Sequence, residues 1–165
     1  MSSPELRRVQ VRDVDCGAGV CIVEPSNVYE CRLGDGCFVG PFVEIQRGVT
    51  VGARTRVQSH AFVCELVTIG DDCFVGHGAT FVNDLFATGG PARGRKALWR
   101  STTVGNRLSI GSNATILPVR ICDDVVIGAG AVVTRDIDRP GIYAGNPARL
   151  LRPLPSPPAT PESNA

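Results

Sequence analysis

Residues 33–81 read LGDGCFVGPFVEIQRGVTVGARTRVQSHAFVCELVTIGDDCFVGHGATF, and an apolar side chain stands at every sixth position: Leu33, Val39, Ile45, Val51, Val57, Val63, Ile69, Val75 and Phe81. Glycine often follows directly, as at Gly34, Gly40, Gly52, Gly70 and Gly76. Four positions after each apolar residue comes a small or medium one, from Cys37 and Val43 to Ala79 and Leu85. A sandwich strand would alternate with period two. Period six instead fits a short flat strand and a tight turn, with the apolar residue inward and glycine relieving the corner. Three such sides close a triangular coil of about 18 residues, and coils stack about 4.8 Å apart. Each coil buries its apolar face only against its neighbours. The fold class is therefore all-β, a parallel β-helix of hexapeptide repeats.

Before Leu33 the phase fades. Val9 and Cys21 keep it but Asp15 and Asn27 break it, so residues 1–32 are expected to form irregular opening coils. After Phe81 the phase returns at Val104, Ile110 and Ile116, then steps by five residues to Ile121 before Ile127 and Val133. That short step is a one-residue deletion. The intervening stretch, about 86–103, holds ATGGPARGRKALWRST, with four basic residues and the only tryptophan. It is too long for a corner and is predicted to be an extended loop leaving the helix. Residues 151–165 are Pro-rich and expected to be a disordered tail, which leaves 1–150 as the β-helical domain.

Seventeen basic and 16 acidic residues in 165 give a net charge of +1, with no electrostatic footprint for nucleic acid or an anionic membrane. The N-terminus, MSSPELRRVQVRD, lacks the apolar core of a signal peptide, and no apolar run reaches membrane-spanning length. A cytoplasmic protein without nucleic-acid or membrane partners is expected. The seven cysteines form no C-x-x-C pair, and Cys37 and Cys73 fall where the repeat wants a small apolar side chain, so they read as reduced core residues. Two histidines are too few for a three-histidine metal site. Asp71 with Asp72, and Asp123 with Asp124, read as turn residues, so no metal site is assigned.

An 18-residue coil places Arg47, Glu65 and Asn83 in one column and Pro41, Ser59 and His77 in the matching column of the neighbouring side. His60 lies one coil below His77, and Asp84 follows Asn83. Glu65, Asn83 and His77 are expected to converge near one corner, the only cluster of acid/base groups in the chain. Acyl transfer to an amine needs a nucleophile that loses a proton, donors for the tetrahedral oxyanion and an aligned thioester. Glu65, His77 or His60 are candidates to take or orient the proton, and Asn83 to orient the acceptor. Arg47 and Asp84 are candidate substrate contacts.

The stretch VQSHAFVCELVTIGDDCFVGHGATFVNDLF, followed by TVGNRLSIGSNATILPVRICDDVVIGAGAVVTRDIDRPGIYAGNPAR, resembles the left-handed β-helix N-acetyltransferases that act on nucleotide-linked 3-amino sugars. The motifs H-x-F-x-C-E, G-H-G-x-x-F-x-N-D and Y-x-G-N-P-A-R carry the resemblance, which spans about 33–150. The left hand of the coil rests on it alone, since parallel crossovers are otherwise right-handed. It implies a homotrimer with active sites between subunits, acetyl-CoA as acyl donor, and a dTDP- or UDP-linked amino sugar as acceptor. It puts Glu65 and Asn83 on the substrate-contacting glutamate and asparagine, with His60 and His77 in the same motifs. Ser112, Asn113, Pro118, Ala129 and Gly130 would flank the pantetheine, and Asn146, Pro147 and Arg149 the adenine end. In some members the departing sulfur takes the amine proton. Here Phe86, Ala87 and Thr88 stand where many relatives carry a proline.

Two other readings follow from the same repeat. An O-acetyltransferase or small-amine acetyltransferase would rely on a histidine and would not need the Glu65–Asn83 column. A β-helix used as a scaffold or assembly subunit would need no polar column at all. A metal-dependent carbonic anhydrase on this fold is disfavoured by the histidine count.

Overall fold

A computed structural model describes residues 10–155; Val9 and most of the Pro-rich tail lie outside them. The chain winds into a triangular parallel β-helix with three sheets. The first face holds Val11–Arg12, Asn27–Tyr29, Glu44–Ile45, Phe62–Val63, Thr80–Phe81, Thr115–Ile116 and Val132–Val133. The second runs from Asp15–Cys16 through Thr50–Val51 and Val67–Ile69 to Thr102–Val104 and Arg120–Ile121. The third runs from Cys21–Ile22 through Phe74–Val75 to Gly141–Ala144, and ends on Arg149–Arg152, its one antiparallel strand. That strand reaches two residues into the stretch assigned to the tail.

The expected inward residues are the core: Leu33, Val39, Ile45, Val57, Val63, Ile69, Val75, Phe81 and Ile110 are all at most 1% exposed. Phe81 and Ile116 stack in direct register across the point where the loop leaves. The helix therefore continues straight through the interruption. Cys37 and Cys73 are buried, and their thiols donate to the carbonyls of Gly52 and Gly105.

The opening residues correct the sequence reading. From Val11 onward they form regular coils, with Val11 paired to Val28, Cys16 to Leu33 and Ile22 to Val39. Strand register puts Cys16 and Val28 at the inward positions, next to the Asp15 and Asn27 that seemed to break the phase, with Val28 buried and Cys16 exposed in the first coil. The turn between Val28 and Leu33 is one residue short, which throws the six-residue count off by one. Cys21, although in phase, faces outward and is exposed. The same shortening between Ile116 and Ile121 is absorbed in the turn, and Val104 still pairs with Ile121.

The corner between the second and third faces explains the acidic doublets. The Oδ1 atoms of Asp35, Asp71, Asn106 and Asp123 accept the backbone N–H groups of Ala18, Ala53, Asp71 and Asn106, at 2.8 to 2.9 Å. Asp72 and Asp124 pair with Arg54 and Arg107 at 2.6 and 2.7 Å. The first ladder satisfies turn amides that no strand partner reaches, and the second links coils through exposed charges.

Candidate active site

The corner between the first and second faces carries the irregular turns of the repeat. Four shortened turns lie there, Val11–Cys16, Val28–Leu33, Ile116–Ile121 and Val133–Ile137, and so does the long insertion between Phe81 and Thr102. Strand pairing confines the insertion to residues 82–101, slightly earlier than the sequence suggested. It folds back on the helix. Both oxygens of Asp84 accept loop amides, from Phe86 at 2.9 Å and Ala92 at 2.6 Å. Ala92 is 1% exposed. One turn of 3-10 helix, Lys96–Leu98, brings Lys96 and Trp99 over the corner. Arg100 then rejoins the coils by donating its N–H to the Asn83 carbonyl at 2.9 Å.

Loop and corner enclose a cleft of about 390 Å³, lined by Tyr29, Cys64, Glu65, Asn83, Phe86 and Trp99 among others. Glu65 and Asn83 stack as the 18-residue coil required. The Asn83 Nδ2 donates to the Glu65 carbonyl at 3.2 Å, which fixes the amide plane over the glutamate. The Glu65 backbone N–H is held by Gln46 Oε1 at 3.3 Å. The Glu65 carboxylate receives the Lys96 ammonium at 2.5 Å, with the glutamate side chain only 19% exposed and the lysine 53%. Lys96 also lies 5.4 Å from the Trp99 ring centre. Lys96 thus neutralises one of the two carboxylates, Glu65 and Asp84, on the cleft wall. Cys64 is no nucleophile here: burial pushes its thiol up to about 12, so it stays protonated. Burial, with the Glu44 charge second, likewise raises the Tyr29 hydroxyl and keeps it a donor.

Two predicted substrate contacts have other duties. Asp84 lines the cleft and also organises the loop with both carboxylate oxygens. Arg47 forms a two-pronged pair with Glu30 in the coil below and does not line the cleft.

The histidines are elsewhere. His60 and His77 lie on the corner between the third and first faces and are exposed. The His60 backbone is left-handed at φ 64°, and its ring stacks on Phe42 at 4.9 Å. Residues 18 apart stack, but the six-residue step from His77 to Asn83 crosses a whole side of the triangle, about 20 Å at ~3.3 Å per residue. The expected convergence of His77 with Glu65 and Asn83 therefore does not occur within one chain.

The histidine corner is instead continuous with most of the predicted cofactor edge. The Asn113 N–H donates to the His77 carbonyl at 2.8 Å, and the Gly130 N–H to the Ser112 carbonyl at 2.9 Å. A Cβ on Gly111 would lie 2.4 Å from the Ala129 nitrogen, so this edge stays smooth because the coils demand it. Asn146 and Pro147 continue the edge, and Arg149 opens the terminal strand beyond them. Pro118 stands apart on the first corner. Trp99 on the cleft wall and Lys96 on the Glu65 carboxylate are residues the repeat did not disclose. Their only signal was composition, a lone tryptophan and basic residues immediately after F-x-N.

The match to known proteins follows the same geometry. The bacterial transferase hexapeptide (six repeats) family matches residues 30–65, and the hexapeptide repeat of succinyl-transferase matches 66–82 and 101–135. The break inside the second match, between residues 82 and 101, is the loop.

The chain belongs to the hexapeptide-repeat family.

This hexapeptide-repeat protein is 32% identical over 132 residues to the bifunctional protein GlmU of Clostridium botulinum, covering 73% of the chain and 28% of that protein. It is 33% identical over 113 residues to serine acetyltransferase of Mycobacterium tuberculosis, covering 66% and 45%. The chain thus spans less than half the length of these curated relatives. A variant of perosamine N-acetyltransferase from Caulobacter crescentus, solved with CoA and GDP-perosamine, superposes with a TM-score of 0.62 at 26% identity, over 79% of this chain and 52% of that one. AntD, an N-acyltransferase from Bacillus cereus solved with dTDP and coenzyme A, shares the fold at a TM-score of 0.75 and 18% identity, over 86% and 84%. Among the described residues no helix is long and apolar enough to cross a membrane.

Proposed function

We propose that this protein is an acetyl-CoA-dependent N-acetyltransferase that acts on the 3-amino group of a nucleotide-linked sugar. The observation that carries the reading is the cleft at the first corner, where a roofed carboxylate and a fixed amide face each other beside an aromatic wall. The Glu65 carboxylate, held by Lys96 on one oxygen only, can accept an N–H of the acceptor amine, and the Asn83 amide suits the polar groups around it. Trp99 and Phe86 supply apolar surface for a sugar ring. The perosamine N-acetyltransferase supports the substrate class, since it was solved with CoA and a nucleotide-linked amino sugar.

The donor fits the other corner. Gly111, Ser112, Asn113, Ala129 and Gly130 form a narrow, side-chain-poor edge along which a pantetheine arm can lie, with His77 at its near end. Asn146, Pro147 and the exposed Arg149 would meet the nucleotide end, where a guanidinium suits phosphate. The bound donor supplies an activated acetyl thioester. The amine nitrogen bonds to its carbonyl carbon, the carbon–sulfur bond breaks, and the amine proton leaves to a side chain or to the departing sulfur.

The two corners are a full side apart, so donor and acceptor meet only if a second copy brings its histidine corner against the Glu65–Asn83 corner of this one. A homotrimer closes three such contacts. Exposed apolar side chains on the corners and on the third face, including Phe42 at 56%, Leu66 at 43% and Phe74 at 40%, are consistent with burial in such an assembly.

The serine acetyltransferase relative favours one competing reading, a small amine or hydroxyl acceptor. A panel of nucleotide-linked 3-amino sugars, serine and galactosides, each with acetyl-CoA and read by thiol release, separates them. Thiol release with the amino sugars alone is expected. Asn83→Ala should lower turnover at least tenfold, and more than His60→Ala does, since the His60 ring stacks on Phe42 one coil below His77. Turnover on serine alone, or equal losses in the two variants, would overturn the assignment.

A further inference from the structure

A second cleft of about 380 Å³ opens on the second face, one coil beyond Asn83, lined by Arg100, Ser101, Thr103, Arg120 and Asp136 together with Pro118 and Val119. We propose that it is a phosphoryl subsite in which the Arg100 and Arg120 guanidiniums grip a diphosphate carried by one of the two substrates. The proposal deepens the reading above and rests on it for the identity of the ligands.

The charge balance of the cleft points to an anion. Two guanidiniums face a single carboxylate, that of Asp136. Asp136 is already engaged, accepting the Arg120 backbone N–H at 2.8 Å and sitting 3.9 Å from its Nε. Both arginines are exposed, and the Arg120 side chain is 85% so. Arginines that only tie coils together behave differently in this molecule: Arg54 and Arg107 each hold an aspartate through two nitrogens. Two hydroxyls join the pair. Thr103 lies directly beneath Arg120 in strand register and Ser101 precedes it, so hydroxyl and guanidinium donors share one wall. This combination of planar cations and hydroxyl donors recognises phosphate oxygens.

The position relative to the acceptor cleft is equally specific. The Arg100 N–H is bonded to the Asn83 carbonyl, so the two clefts share one backbone rung. The separation between them is about one coil spacing, ~4.8 Å, comparable to the width of a sugar ring. A sugar whose amine rests at Glu65 and Asn83 can thus present its anomeric diphosphate to Arg100 and Arg120. The diphosphate of coenzyme A carries the same chemistry and would reach this cleft from a neighbouring copy.

The test titrates the full chain and its Arg100→Gln, Arg120→Gln and double variants calorimetrically with UDP, dTDP, GDP and coenzyme A, at low and high salt. For one of these ligand classes the single variants should bind about ten- to a hundredfold more weakly, with a shallower salt dependence and an unchanged Tm. Arg120→Lys should restore part of the loss. A loss confined to the nucleoside diphosphates assigns the subsite to the acceptor, and a loss confined to coenzyme A assigns it to the donor. Unchanged affinity for every ligand in the double variant overturns the subsite, as does absence of binding to the wild type. Arginine-dependent nucleotide binding without acetylation of any amino sugar would leave the subsite standing and remove the acetyltransferase reading instead.

Discussion

Asp71, Asn106 and Asp123 occupy the same place in successive coils, and the Oδ1 of each accepts a backbone N–H of the coil below. An amide oxygen does this work at 106 as well as a carboxylate does at 123. The charge of Asp123 therefore adds something separable from the cap. Its carboxyl is held below the usual range, first by the Asn106 N–H and then by the Asn106 amide and Arg107. The Arg107 guanidinium does the same for Asp124. A carboxyl lowered in the folded state adds stability above the ordinary pKa of about 4, and that stability is lost as pH falls through the lowered value. Asp123→Asn keeps the acceptor and removes the titration. Its Tm should lie below wild type at neutral pH, and the gap should narrow as pH drops below about 4. Parallel melting curves across that range would show that the charge contributes nothing.

At the scale of elements, the loop of residues 82–101 behaves as a roof built on one carboxylate. Asp84→Ala leaves the Phe86 and Ala92 amides without their partner, and Ala92 is buried. The expected cost is about 1–3 kcal/mol, confined to the roof because the coils pair above and below it without a break. Amide exchange should speed up at Ala92, and trypsin should cut sooner at Arg93 and Arg95, while the global melt barely moves. A fall in Tm matching the loop's loss of protection would mean that roof and coils unfold together. The sequence marked this element as a loop by its length and composition. It could not place Lys96 on Glu65, because that contact depends on where the chain turns back. The opening coils failed for a related reason. One missing residue at the Val28–Leu33 turn shifts a period count for every residue before it, whereas strand pairing simply tolerates a 17-residue coil.

For the whole molecule, the polar residues divide between two corners, Glu65 and Asn83 on one and His77 with the smooth edge on the other. A site assembled from two copies predicts complementation. Asn83→Ala and His77→Ala should each be nearly inactive as pure proteins. Refolded together they should recover about a quarter of wild-type activity, since random mixing restores that share of intact interfaces. Sedimentation should report three copies per particle. No recovery from a mixed trimer would place the whole site within one chain.

The hexad by itself determined the class of fold, the inward residues and which side chains stack. Inward packing and six-residue turns are local demands, and each repeat states them again in its own residues. Corner membership was decided only by the tertiary structure. Period six treats all three corners as equivalent, and only closing the triangle puts His77 a side away from Asn83. The fold likewise tied Arg47 to Glu30 away from the cleft, kept Asp84 on the cleft wall as the anchor of the loop, and set Arg100 one backbone hydrogen bond from Asn83. Such pairings depend on which turn lost a residue and which carries the insertion, and those are facts about the closed coil.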